Sequence, residues 1–166
     1  MANAIRDKIS NNDHPIIDGV IIKKLNPMKD DRGWLCEVYR KDEESKASPA
    51  MCYSSYSKYG VIRGPHEHMK QSDFFVFTGP GDFELYLWDN RKDSKTYGKS
   101  MKLIVGENNK ISVLVPPGVV HGYKAVSRNG SFYINLPDQL YRGKRKKEDA
   151  DEIRHENNKN SRFKIS

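Results

Sequence analysis

DFELYLWD, residues 82–89, alternates apolar side chains with polar or larger aromatic ones. Phe83, Leu85 and Leu87 would lie on one face of an extended segment, with Glu84 between two of them on the other. This period of two is typical of a β-strand that buries a single face. Turn-forming sequences flank the segment, TGPGD before it and DNRKDSKTYGK after it. The stretch therefore predicts an antiparallel strand with one face in a core.

Similar short segments recur along the chain between turn sequences, at spacings of roughly 8–12 residues. The 166-residue length suits one domain, and no long amphipathic helix is evident. The pattern predicts an all-β fold, an antiparallel β-sandwich or barrel. The other predicted strands are 19–25, 33–40, 50–56, 73–79, 100–106, 110–116, 119–126 and 130–137.

The charge distribution argues against a nucleic-acid partner. The formal net charge is +7, but segment 142–164 alone has nine basic and five acidic residues. Because this tail is mixed in sign and poor in aromatic residues, we interpret it as a solvated surface segment. The sequence has no apolar run of membrane-spanning length and no apolar leader. We therefore expect a cytoplasmic protein with neither a membrane nor a nucleic-acid partner.

Three histidines fall in two turn-flanked motifs, RGPHEH (63–68) and VPPGVVHGY (115–123). His66 and His68 would share one face of a strand, and Asp73 follows after four intervening residues. With His121, this resembles the two metal motifs of the cupin superfamily, HxH-x4-E and PxG-x2-H, with Asp73 in the Glu position. Three imidazoles and a carboxylate suit a divalent transition metal.

Proton transfer next to a carbonyl group is the alternative chemistry. A neutral histidine such as His66 can act as a general base near pH 7, and a tyrosine can act as the acid. Tyr133 lies on a predicted strand shortly after the His121 strand. Both chemistries stay open on the residues alone.

Five motifs occur in an order that resembles the dTDP-4-dehydrorhamnose 3,5-epimerase family of deoxysugar biosynthesis. They are DDRGWLCE (30–37), GVIRGPH (60–66), DNRKDSKTYGK (89–99), VPPGVVHGY (115–123) and FYINLPDQLY (132–141). The resemblance implies a cupin-type jelly-roll and a homodimer. It further implies a nucleotide-diphospho-4-keto-6-deoxysugar as substrate, epimerisation without a cofactor, and a role in polysaccharide biosynthesis.

The same resemblance suggests the domain organisation. We expect an N-terminal arm over 1–18, the cupin domain over 19–141, and a charged C-terminal tail over 142–166 that packs on or flanks the domain.

The resemblance also implies roles for individual residues. His66 matches the general base and Tyr133 the general acid of the family. Residues that match or approximate substrate-contacting positions are Arg32, Glu37, Ser55, Ser57, Arg63, His121 and Tyr141, the last as the aromatic ring that stacks on the base.

Two substitutions depart from the family pattern. Asp73 stands where the family has a catalytic lysine, and His68 stands where it has a glutamine. The C-terminal aspartate that orients the catalytic histidine in the family has no clear counterpart here. These departures leave two alternatives to an epimerase. One is a metal-dependent cupin with the ligands His66, His68, Asp73 and His121, and the other is a non-catalytic sugar-nucleotide-binding cupin.

Overall fold

A computed structural model describes residues 17–43 and 46–166, so most of the predicted N-terminal arm lies outside the described residues. Within these ranges the only helices are two single 3-10 turns, Lys144–Lys146 and His155–Asn157, and none could span a membrane. The described strands are β1 (Ile21–Lys24), β2 (Met28–Asp30), β3 (Gly33–Leu35), β4 (Tyr53–Ser57), β5 (Ile62–Glu67), β6 (Asp73–Phe77), β7 (Asp82–Asp89), β8 (Ser100–Gly106), β9 (Ile111–Val115), β10 (Val119–Ala125), β11 (Ser131–Asn135) and β12 (Ile153–Arg154).

Ten of these strands form two five-stranded antiparallel sheets. The first sheet has the order β1-β9-β6-β11-β4 and the second the order β12-β5-β10-β7-β8, while β2 and β3 form a separate hairpin. Buried side chains from both sheets make one core, which includes Phe75 and Val113 from the first and Leu85 and Val119 from the second. The predicted all-β sandwich is confirmed.

Strand β7 has the pattern predicted for it. Phe83, Leu85 and Leu87 are fully buried in the core between the sheets. On the opposite face the rings of Tyr86 and Trp88 stack with centroids 5.9 Å apart. Seven residue pairs join β7 to each of its neighbours, β8 and β10, so this strand organises the second sheet.

Several regions differ from the strand prediction. Strands β2 and β5 were not among the predicted strands. Only Gly33–Leu35 of the predicted strand 33–40 pairs in a sheet, because Cys36, Val38 and Tyr39 instead pack against a smaller core cluster that includes Phe74. The tail contributes an unpredicted strand, β12, which pairs with β5.

Close backbone contact fixes the position of the histidines. His66 on β5 lies directly opposite His121 on β10. Gly64 has φ +80°, and a Cβ at this position would lie 2.7 Å from the carbonyl oxygen of His121. Glycine is therefore needed here both for the backbone angle and for the close approach of the two strands.

The buried and exposed faces of the second sheet should respond differently to truncation. Leu85→Ala is expected to lower the free energy of unfolding by roughly 2–5 kcal/mol, because it leaves a cavity in the core. Ile104→Ala is the matched control, since Ile104 on β8 is 48% exposed, and should cost less than about 1 kcal/mol. Urea denaturation of both variants measures the difference. Equal losses would contradict the assignment of faces.

Candidate active site

A cavity of about 1430 Å³ is bounded by strands of both sheets and by the C-terminal tail. Several residues predicted from the sequence border it, which brings imidazole, phenol, hydroxyl and guanidinium groups to one space. They are Ser55, Arg63, His66, His68, Tyr133 and Tyr141.

The other predicted residues lie behind the cavity wall or away from it. Ser57 is buried and accepts a hydrogen bond of 3.1 Å from Nε of Arg63, so it holds that guanidinium group in place. Arg32 and Glu37 do not border the cavity of this chain. The Arg32 side chain is 85% exposed and lies 2.5 Å from the Asp30 carboxylate, while Glu37 is paired with Arg40.

Three imidazole rings cluster at the base of the cavity, which His66 and His68 border. His121, predicted to contact the substrate, is 1% exposed and does not border it. The ring centroids of His66 and His121 are 4.5 Å apart, and both rings lie 5.6 Å from that of His68. One ring nitrogen from each of the three lies within 4.8 Å of the others. The predicted grouping of these histidines is therefore present in the structure.

A buried carboxylate, that of Asp73, joins this cluster from the opposite sheet. Its Oδ1 accepts hydrogen bonds from Nε2 of Gln71 (2.9 Å) and Nδ2 of Asn135 (2.7 Å). Its Oδ2 lies 3.2 Å from Nε2 of His68 and 3.1 Å from Nε2 of His121. Burial opposes ionisation, but contact with His121 and His68 holds the pKa of Asp73 below its ordinary value. Asp73 is thus an anion, and it does not border the cavity.

His68 and His66 differ in charge because their surroundings differ. Burial opposes a charge on His68, but the Asp73 carboxylate and the carbonyl oxygen of Asp151, which contacts Nδ1, raise its pKa to about 9. Burial, together with His121 and His68, lowers the pKa of His66 to about 2. At neutral pH, His68 is therefore a cation and His66 a neutral base.

His121 is positioned by a backbone contact at one ring nitrogen. Its Nδ1 lies 3.0 Å from the carbonyl oxygen of Val119, so this nitrogen carries a proton. Its Nε2 is buried and has no hydrogen-bond partner within the described part of the chain. Although Asp73 Oδ2 is 3.1 Å away, the direction between the two atoms does not suit a hydrogen bond.

The phenol of Tyr133 lies in an aromatic environment. Its ring contacts those of Phe75 and Phe83, and its hydroxyl group contacts that of Tyr123. Burial, followed by the effect of Tyr123, raises the pKa of Tyr133 above its ordinary value. The phenol is therefore protonated at neutral pH and can donate a proton.

Sequence reasoning missed the part that the tail plays in the site. The Asp151 carboxylate accepts hydrogen bonds from three successive backbone N–H groups, those of Met69 (2.9 Å), Lys70 (2.7 Å) and Gln71 (2.9 Å). Residues of the tail from Arg142 onward also border the cavity. Segment 148–152, EDADE, has no periodicity that could have indicated this contact.

A neutral imidazole, a protonated phenol and a guanidinium group border one cavity of an all-β sandwich, a combination suited to acid–base chemistry on an anionic ligand. Residues 15–157 match the family described as dTDP-4-dehydrorhamnose 3,5-epimerase, and the chain belongs to this family. It is a sugar-nucleotide epimerase, and hence an isomerase.

Similar proteins have roles in glycan biosynthesis. The chain is 40% identical over 126 residues to the spore coat polysaccharide biosynthesis protein SpsL of Bacillus subtilis, covering 76% of this chain and 83% of that protein. It is 37% identical over 129 residues to the probable low-salt glycan biosynthesis epimerase Agl13 of Haloferax volcanii, covering 76% and 82%. The crystal structure of NovW, a 4-keto-6-deoxy sugar epimerase of Streptomyces spheroides, has a TM-score of 0.69 at 25% identity, covering 77% and 68%.

The Asp151 contact should control the order of the loop 69–71. Asp151→Ala removes the acceptor of three backbone N–H groups, so the amide protons of Met69, Lys70 and Gln71 should exchange with solvent faster by roughly tenfold or more. Asp149→Ala, at an exposed neighbouring position, is the matched control and should leave them protected. Hydrogen exchange followed by NMR makes the comparison. Unchanged protection in Asp151→Ala would show that the carboxylate does not hold this loop.

Proposed function

We propose that this chain epimerises a nucleotide-diphospho-4-keto-6-deoxysugar for the synthesis of a cell-surface polysaccharide. The observation that carries the proposal is the pairing, in one cavity, of a neutral imidazole from His66 with a protonated phenol from Tyr133. The 4-keto-6-deoxy sugar named for NovW and the glycan roles named for the two relatives support the same substrate class. The cytoplasmic location expected from the sequence stays a prediction.

In the proposed reaction, protons move on carbon atoms next to the ketone. The C4 carbonyl group acidifies the hydrogens at C3 and C5, so His66 can remove one of them as a general base. The electron pair of the broken C–H bond moves to the ketone oxygen and forms an enolate. Tyr133 then donates its hydroxyl proton to the same carbon from the opposite face, and Tyr123 is in contact to return a proton to Tyr133. We propose that this exchange requires no cofactor.

The enolate needs a positive neighbour, which the family lysine would have supplied where Asp73 stands. Asp73 lies behind the wall, and the group that borders the cavity in front of it is His68. We propose that the His68 imidazolium ion, stabilised by Asp73, provides the positive charge near the developing enolate. Asp73 and His68 would then act together in place of one lysine.

Substrate binding is proposed to use residues from two copies of the chain. Arg63 can pair with the diphosphate, and Tyr141, 51% exposed at the cavity edge, offers a ring for the base. Arg32 and Glu37 lie outside the cavity of their own chain, so we propose that they serve a second copy in a homodimer. The exposure of Trp34 (50%) in the same hairpin fits a surface that another copy covers.

Solvent exchange tests the proposed reaction. The protein is incubated with dTDP-4-keto-6-deoxyglucose in D2O, and deuterium at C3 and C5 is followed by NMR. His66→Ala should abolish exchange, and His68→Ala should slow it by about tenfold or more because the enolate loses its positive neighbour. Tyr133→Phe should reduce formation of the epimer by about 100-fold while binding is retained.

Tyr97→Phe serves as the matched control, because Tyr97 is 45% exposed and does not border the cavity. It should exchange at the wild-type rate. If His66→Ala retained full exchange, His66 would not be the base. If the wild-type protein exchanged no 4-keto sugar nucleotide, the epimerase substrate would be wrong. Deuterium at one carbon only would define a single-centre epimerase.

A metal-dependent activity is a second candidate, favoured by the contacts of two histidine rings. Backbone carbonyl oxygens contact Nδ1 of both His68 and His121, and the Nε2 atoms lie 3.2 Å and 3.1 Å from Oδ2 of Asp73. Such second-sphere contacts are typical of metal-binding histidines. His66, His68, His121 and Asp73 have donor types that fit a divalent transition metal, which would supply Lewis-acid polarisation of a substrate oxygen.

Elemental analysis distinguishes the two candidates. A metal centre predicts about one transition-metal ion per chain after purification without added metal, lost in His121→Ala and retained in His155→Ala, whose imidazole contacts Glu67 outside the cluster. The imidazolium mechanism predicts exchange that survives dialysis against a chelator. Metal-free protein that remains fully active would reject the metal candidate.

A further inference from the structure

Residues 138–151 form a loop across the cavity. Both ends of this loop are attached to the same short segment, residues 69–72. At one end, Oδ1 of Asp138 accepts a hydrogen bond of 2.8 Å from the backbone N–H of Ser72, and the Asp138 N–H donates to the Ser72 carbonyl oxygen (3.1 Å). At the other end, Asp151 accepts from the N–H groups of 69–71. Most of the intervening residues therefore border the cavity, although their side chains are largely exposed.

This loop carries a dense positive charge. Its sequence RGKRKK, residues 142–147, has five basic side chains in six positions. Four of the five border the cavity, and Lys147 does not. Within residues 17–43 and 46–166, no carboxylate lies within ion-pair distance of any of the four, which are Arg142, Lys144, Arg145 and Lys146.

Acidic residues that border the same cavity only partly offset this charge. The Asp138 and Asp151 carboxylates accept hydrogen bonds from backbone N–H groups, and Glu152 is paired with Arg154 at 2.7 Å. Glu148, Asp149 and Glu156 remain, while Lys70 adds a further basic group on the segment to which the loop is attached. The loop thus has cations available to a ligand.

The backbone of the loop is also unusual. Arg142, Arg145 and Lys146 have φ values of 57°, 57° and 58°, in the left-handed region that residues other than glycine rarely adopt. Such conformations cost free energy and occur often at ligand-binding sites. Three of them in five residues hold the basic side chains in an arrangement that helix or strand geometry would not produce.

We propose that loop 142–146 binds the diphosphate of the sugar nucleotide, opposite Arg63. This inference rests on the proposed function, because that function supplies the anionic ligand. A diphosphate that links two groups carries two negative charges. Arg63 alone can neutralise only one of them. Arg32, which the family resemblance places at a substrate-contacting position, is paired with Asp30 outside the cavity of its own chain, so any charge that it adds must come from a second copy. Arginine and lysine side chains on the loop would supply charge-assisted hydrogen bonds from the other side.

Calorimetric titration of the full chain tests this assignment. The probes are dTDP, UDP, GDP and CDP, with thymidine as the ligand that lacks phosphate and inorganic pyrophosphate as the ligand that lacks a base. The double variant Arg145→Ala/Lys146→Ala should bind the best nucleoside diphosphate at least about tenfold more weakly, because hydrogen bonds to charged groups are lost. Its affinity for thymidine should change by less than about twofold.

Lys147→Ala is the matched control, since it removes one charge from the same loop without touching the cavity. It should bind the nucleoside diphosphate within about twofold of the wild-type affinity. Circular dichroism confirms that each variant is folded, and Arg145→Lys/Lys146→Arg should recover most of the affinity. The wild-type affinity should also fall more steeply with salt than that of the double variant.

Each outcome separates this inference from the proposed function. If the double variant bound the diphosphate as tightly as the wild type, or if Lys147→Ala lost as much affinity, the loop assignment would be wrong and the epimerase proposal would stand. If the wild-type chain bound no nucleoside diphosphate and no pyrophosphate, both proposals would be rejected.

Discussion

The arrangement of the histidines in the site depends on their contacts with the buried carboxylate of Asp73. It lies on β6 in the first sheet, yet it contacts His121 on β10 and His68 at the end of β5 in the second sheet. An unpaired charge at this depth would be costly, so the histidines and the amides of Gln71 and Asn135 must be arranged around it. Ionisation of Asp73 therefore fixes the relative position of the two sheets at the base of the cavity.

The same contact explains why two departures from the family pattern occur together. Replacing a lysine by Asp73 alone would leave a buried anion near a developing enolate, which would oppose its formation. Replacing a glutamine by His68 alone would place an imidazole ring beside a lysine. Repulsion between like charges would then keep the imidazole neutral. Together they form an ion pair whose positive member borders the cavity. The pair thus places a cation at the site on His68 rather than on residue 73.

The sequence was informative where local pattern determines structure. Alternation in DFELYLWD predicted β7 to the residue, and motif spacing predicted the cluster of His66, His68 and His121 that Asp73 contacts. The sequence was uninformative where contacts between residues far apart in the chain determine the structure. The two residues of β12 pair with β5 because the tail folds back across the cavity, and neither their hydropathy nor their period indicates a strand. Arg32 was expected near the substrate, but it lies outside the cavity of its own chain, and a sequence motif does not specify that distance.

The tail also shows why a charged segment need not be a solvated one. Its strand β12 extends the second sheet, its Asp151 orders the loop beside His68, and Phe163 is buried against Trp88 on the outer face. These contacts add hydrogen bonds and a buried ring to the second sheet, so the tail is part of the folded domain although its composition is charged. A substrate as large as a sugar nucleotide must enter and leave a cavity that the tail partly covers. The tail therefore forms one wall of that cavity, while the sheets that hold His66 and Tyr133 form the others.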